Sequence, residues 1–60
     1  MTPDETAVVE AARAYYQTSG DSADAHNELM DAVRTLEEPE SEFATYYRRQ
    51  RAVRLAEASA

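Results

Sequence analysis

The sequence predicts an all-α fold, in which an antiparallel helical hairpin is followed by a longer third helix. Apolar residues recur at spacings of three and four in three segments, which is the pattern of a buried helix face. The single glycine and both prolines fall at the ends of these segments, where helices start or stop. Apolar and polar residues never alternate over the length of a strand. We therefore expect one small helical domain over residues 1–60, either a three-helix bundle or a helical dimer.

The first helix is predicted over about residues 4–18. Proline is tolerated in a first helical turn, which places Thr2 or Pro3 at the start. Gly20 follows the segment and can take the left-handed conformation that ends a helix. The predicted buried arc consists of Val8, Val9, Ala11, Ala12, Tyr15 and Tyr16.

The second helix is predicted over about residues 22–37, with Asp21 or Ser22 as its N-cap. The connection from the first helix is short, so the two helices should form an antiparallel hairpin. The predicted apolar stripe consists of Ala25, Leu29, Ala32, Val33 and Leu36.

The third helix is predicted over about residues 40–57. Glu38 ends the second helix, because the residue before a proline avoids helical geometry, and Pro39 can then occupy the first turn of the third helix. Leu55 and Ala44 fall among the arginines, away from the predicted packing face. That face would pack on the hairpin or on the same helix of a second chain, and a homo-oligomer is favoured. It consists, at heptad-like spacing, of Phe43, Tyr46, Gln50, Val53 and Glu57.

The charge is acidic overall and unevenly distributed. The formal net charge is −6, with −9 in residues 1–47 and +3 in residues 48–60. An acidic body repels nucleic acid and anionic lipid at long range. The start lacks the basic and apolar stretches of a signal peptide, and no apolar run could span a membrane. We therefore expect a cytoplasmic protein that makes no membrane contact.

Candidate metal and catalytic residues are few. Asp21, Asp24, His26 and Glu28 superficially resemble metal ligands. On a helix, however, Asp24 and Glu28 lie one turn apart on the outer side, while His26 points elsewhere. We interpret them as an acidic first turn with a histidine at the border of the apolar stripe. The chain has no cysteine and no recognisable nucleophile beside a base. We expect no metal, no cofactor, no small-molecule substrate and no enzymatic activity.

Two pairs of adjacent tyrosines occur, one in the first helix and one in the third. Neighbouring helical residues point about 100° apart, so each pair can place one ring in the core and one at its edge. The prediction is that Tyr15 and Tyr46 are buried and that Tyr16 and Tyr47 are exposed. Exposed tyrosines are favourable contact residues at protein interfaces.

Four arginines within residues 48–54 form the second candidate feature. They could bind a partner's carboxylates, bind phosphates, or neutralise the acidic body of the same protein or of a second copy. We predict a protein-interaction module, with self-association or another protein as partner. The predicted partner-binding residues are Tyr16, Tyr47, Arg48, Arg51 and Leu55.

Two alternative functions follow from the charges. The arginine-rich third helix could bind nucleic acid weakly, with a strong dependence on salt. Alternatively, the chain could mimic nucleic acid and occupy a basic site on another protein. The mimic would use the carboxylates of Asp24, Glu28 and Asp31.

Residues 8–37 resemble, in composition and helical pattern, the small Ala- and Arg-rich helical accessory proteins of actinobacterial bacteriophages. The resemblance lies in the segments VVEAARA at residues 8–14 and ELMDAVRTLE at residues 28–37. It implies an accessory protein that modulates a host or phage protein by direct binding in the host cytoplasm. It transfers no individual site residue to this chain.

Overall fold

A computed structural model describes residues 1–59 and contains three α-helices: α1 (Pro3–Gln17), α2 (Ala23–Glu37) and α3 (Glu42–Ser59). α1 and α2 form an antiparallel hairpin, and α3 packs on α2. The described residues contain no strand, which confirms the predicted all-α fold. No helix among them has the combination of length and apolar character that crossing a bilayer requires.

The ends of α1 are set by local hydrogen bonds and backbone conformation. The Thr2 hydroxyl accepts from the Glu5 N–H at 3.2 Å, and the Glu5 carboxylate accepts from the Thr2 N–H at 2.9 Å. This reciprocal pair is a capping box that satisfies two otherwise free donors. At the other end, Ser19 and Gly20 both have positive φ, of 55° and 76°. The predicted stop at these two residues is confirmed.

Serine side chains cap the other two helices. The Ser22 hydroxyl accepts from the Ala25 N–H at 3.2 Å, so Ser22 is the N-cap of α2. The Ser41 hydroxyl accepts from the Ala44 N–H at 3.0 Å and begins α3. The expectation that Pro39 lies in the first turn of α3 is wrong, because α3 starts three residues later, after this cap.

The core is built mainly from small side chains, which allow the helices to approach closely. Tyr47, which is 6% exposed, is the one large side chain among the buried residues of the described range. Its ring stacks on that of Phe43 with centroids 6.5 Å apart, and the Arg34 guanidinium lies 4.2 Å from the Phe43 ring. The other buried residues are Ala7, Ala11, Ala32, Thr35 and Ala44.

The predicted packing face of α3 is wrong. Tyr46 is 61% exposed and Val53 is 49% exposed, whereas Ala44 is fully buried and Tyr47 is 6% exposed. The predicted order of the tyrosine pair is therefore reversed, with Tyr47 inside and Tyr46 outside. The reason is steric: the small side chain of Ala44 lets α3 approach α2 on the side that the heptad-like spacing left out.

The buried side of α1 is also rotated relative to its predicted arc. Ala7 and Ala11 are buried, whereas Ala12 is exposed and Tyr16 is 84% exposed. Tyr15 is half-buried, with its ring centroid 5.9 Å from that of the exposed His26. Alanine dominates the contact between α1 and its neighbours, so the larger valines and tyrosines of this helix could not indicate its orientation.

A candidate binding cleft between the first and third helices

The backbones of α1 and α3 stay apart, although the buried Tyr47 of α3 packs in one core cluster with Ala7 and Ala11 of α1. No Cα atom of α1 comes within 8 Å of a Cα atom of α3, whereas both helices approach α2 more closely than that. The buried and half-buried residues of α3 all lie in residues 43–51, and every residue in 52–59 is exposed. A cleft therefore separates the end of α3 from the hairpin.

Two adjoining depressions of about 320 and 370 Å³ make up this α1–α3 cleft. Both are lined by Ala7, Tyr47, Arg51 and Leu55. Leu55 is 48% exposed because its side chain meets the cavity instead of a packed neighbour. The lining is mostly apolar, and its remaining apolar residues are Pro3, Ala11, Ala14, Ala52 and Ala58.

Ion pairs join α3 to the hairpin along this cleft. Arg48 donates to Asp4 at 2.8 and 3.1 Å, a two-point contact that fixes the orientation of both groups. Arg51, with a largely buried side chain, donates to Glu10 at 2.9 Å. Since the α1 and α3 backbones remain apart, these long side chains and the buried ring of Tyr47 provide the link between the two helices.

A third ion pair joins α3 to α2 through Glu28. Arg54 donates to the two Glu28 oxygens at 2.6 and 3.3 Å, and the Tyr47 hydroxyl donates to the same carboxylate. The hydrogen bond from Arg54 holds the pKa of Glu28 below its usual range, against the opposing effect of partial burial. Burial, followed by the hydrogen bond to Glu28, raises the pKa of Tyr47 above its ordinary value.

Asp4 is the other carboxylate at the cleft with a shifted pKa. The hydrogen bond from Arg48 lowers the pKa of Asp4, and the same contact raises that of Arg48. Both groups therefore remain charged at neutral pH, and the pair persists there. Three of the four arginines of α3 thus neutralise acids of the same chain, one of the three roles that the sequence left open.

Four of the five predicted partner-binding residues line the α1–α3 cleft: Tyr47, Arg48, Arg51 and Leu55. Tyr47 borders the cleft but is almost completely buried, so it is not the exposed ring that the sequence predicted. Tyr16 lies apart from the other four, in a depression on the opposite side of α1. The structure therefore divides the predicted set between two surfaces.

Comparisons with known proteins identify no relative of this chain. No family model matches it, and no curated protein or solved structure shows significant similarity.

Sequence reasoning missed Glu28 as part of this site and placed it on the outer side of α2. A signal was present, because Glu28 lies three residues after Ala25 and four before Ala32, both on the predicted stripe. A carboxylate at such a position needs a partner when it is partly buried. Tyr47 and Arg54 supply the partners here.

The structure does not bring the acidic residues near His26 into a metal-binding arrangement. Within residues 1–59, no three His, Cys, Asp or Glu side chains come close enough together to hold an ion. The α1–α3 cleft offers an apolar surface on which an apolar side chain of a ligand could pack. Its guanidinium groups could also exchange their own carboxylates for those of a ligand.

Proposed function

We propose that this chain is a protein-interaction module that receives apolar side chains of a partner in the α1–α3 cleft. The observation that supports this proposal is the position of Leu55. It is a half-exposed leucine that faces an apolar cavity, on a helix segment with no buried residue of its own. Filling the cavity would bury Leu55 together with the partner's side chain.

The volumes of the two depressions suit one or two apolar side chains of a partner, which would anchor it in the cleft. Each depression, at about 320 or 370 Å³, lies in the lower part of the range of ligand pockets, which begins near 300 Å³. Fully burying one leucine- or phenylalanine-sized side chain contributes about 1.5–3 kcal/mol. An anchor of this kind is the usual centre of a protein interface.

The charges favour a partner with a basic rim around its apolar anchor. Arg48, Arg51 and Arg54 already have carboxylate partners in the chain, while the net charge is −6. An acidic surface attracts basic proteins at long range and raises their rate of association. The resemblance to bacteriophage accessory proteins suggests a host or phage protein in the cytoplasm as the target.

The same contacts make the two alternatives less favourable. Nucleic acid binding through α3 would require phosphates to displace Asp4, Glu10 and Glu28 from their arginines. A nucleic-acid mimic built on Asp24, Glu28 and Asp31 would depend on a carboxylate that already accepts from Tyr47 and Arg54. Either function would cost interactions that hold α3 in place.

The proposal is tested by comparing two substitutions on α3. Leu55 and Val53 are 48% and 49% exposed, but only Leu55 lines the cleft. We would capture partners from an actinobacterial lysate with the tagged protein, with and without nuclease. The protein and its Val53→Asp variant should retain the same nuclease-resistant partner, and Leu55→Asp should lose it.

A second pair of variants separates loss of the site from loss of the fold. Ala58→Trp should fill the cleft and block capture, whereas Ala56→Trp, at an exposed position outside the cleft lining, should not. Circular dichroism must show equal helicity for all four variants. If Leu55→Asp and Ala58→Trp capture the partner as well as their controls do, the cleft is not the binding site. Capture that disappears on nuclease treatment would favour nucleic acid instead.

A further inference from the structure

A second apolar surface lies on the side of α1 that faces away from the α1–α3 cleft. This outer face of α1 consists of Val9, Ala12 and Tyr16, of which Tyr16 is 84% exposed. A shallow depression of about 460 Å³ lies along it, also bordered by Arg13 and other α1 residues. An exposed tyrosine beside a valine and an alanine forms an apolar surface whose burial by a partner is favourable in free energy.

The charged residues on this face have a self-complementary spacing. Glu5 lies four residues before Val9, and Arg13 lies four residues after it, so the acid and the base are equally distant from the valine. Arg13 has no ion pair within residues 1–59, whereas Arg34, Arg48, Arg51 and Arg54 each have one. Arg13 is therefore a cation available for an intermolecular contact.

We infer that the outer face of α1 binds a second copy of the same chain, with the two α1 helices antiparallel and the twofold axis at Val9. Glu5 of each protomer then lies opposite Arg13 of the other, which forms two identical ion pairs. The two residues are separated by about 12 Å along a helix, at 1.5 Å per residue. A twofold interface needs this kind of symmetric pairing, in which one surface patch complements itself.

The side chains between the charges suit close contact between two helices. Val9 would meet its own copy at the axis, and Ala12 is small enough to let the helices approach. The Tyr16 rings would cover the two ends of the apolar strip. A chain of 60 residues has a thin core, and self-association is a common way for such a chain to bury more apolar surface.

α3 provides an internal comparison. Arg49, Val53 and Glu57 repeat the spacing of cation, valine and acid on its exposed side. Polar Gln50 lies three residues from that valine, however, where α1 has the small apolar Ala12 three residues from Val9. α1 is therefore the interface, and α3 serves as the matched control.

The interface is tested by charge reversal and sedimentation over a wide concentration range. Reversing one charge turns both attractive pairs into repulsive ones, so Arg13→Glu and Glu5→Arg should each weaken dimerisation by about tenfold or more. An equimolar mixture of the two variants should recover dimers, because each arginine of one variant then faces a carboxylate of the other. Arg49→Glu should dimerise like the unchanged protein.

A further variant does not depend on charge pairing. Ala12→Arg places a long cation in the apolar strip, one turn from the axis at Val9, and should abolish the dimer while α1 stays helical by circular dichroism. A protein that stays monomeric at all concentrations would overturn the inference, as would a mixture that fails to recover dimers. Loss of the dimer in Arg49→Glu, with Arg13→Glu unaffected, would overturn it in favour of the exposed side of α3.

This interface and the proposed binding cleft lie on different sides of α1, so the experiments can contradict one proposal without contradicting the other. Ala7 lines the cleft and Val9 lies on the outer face, and two helical residues point about 200° apart. The dimer would carry its two clefts on outward sides. A partner with two anchors would then gain from simultaneous binding.

Discussion

The two halves of α3 differ in how they are held. Residues 42–51 contain its buried and half-buried side chains, including Ala44 and Tyr47, and Tyr47 packs in the core cluster with residues of both α1 and α2. Residues 52–59 are all exposed, and Arg54 is their one ion-paired residue. The first half is thus fixed mainly by packing and the second by a polar contact. A helix can be continuous in backbone while only part of it belongs to the core.

The largest difference between the halves should appear when one apolar side chain is removed from each. Tyr47→Ala removes the large buried ring and should destabilise the protein by about 3–4 kcal/mol, which is enough to unfold much of a domain this small. Leu55→Ala removes a half-exposed side chain and should cost about 0.5–1 kcal/mol. Urea unfolding followed by circular dichroism measures both. Equal losses would mean that residues 52–59 are packed after all.

The next largest effect should come from the carboxylate that joins both halves. Glu28→Gln loses the charge to which Arg54 and Tyr47 donate, and should lower the free energy of unfolding by about 1–2 kcal/mol. Glu57→Gln is the control, since Glu57 is exposed and has no ion pair among the described residues. If the two variants unfold at the same urea concentration, Glu28 does not hold α3.

A smaller effect is expected from mild acid. Asp4 and Glu28 have lowered pKa values in the folded state, so their contribution is present above the unfolded pKa, near 4. It should decline as the pH falls through the lowered folded values. Thermal unfolding from neutral pH into this range should show a falling midpoint, and Glu28→Gln should show a shallower fall. A midpoint that rises on acidification would contradict the assigned pairs.

The helix ends and the hairpin were predictable because their causes are local. Thr2, Ser22 and Gly20 act on backbone groups within five residues, and these signals can be read from one short segment. The orientation of α3 was not predictable in this way. It depends on how closely two backbones can approach at Ala44, and alanine gives little hydrophobic signal.

The candidate site was predictable in part. The clustering of Arg48, Arg51 and Leu55 beside a tyrosine pair indicated the part of α3 that lines the cleft. Asp4 and Glu10, the partners of these arginines, are more than 40 residues away in sequence. No local pattern identifies such pairs, because they are determined by the relative positions of two helices that touch only through side chains.

Residue-resolved amide hydrogen exchange is the most direct test of the claim that residues 52–59 form one wall of an open cleft. We predict slow exchange, limited by global unfolding, for amides from Tyr47 to Arg51. Protection should then fall from about Ala52 onward, two turns before the end of α3, since no buried contact holds that segment. High protection that continues into the last turn would show that the segment is packed against the hairpin. That result would contradict both the open cleft and the function proposed for it.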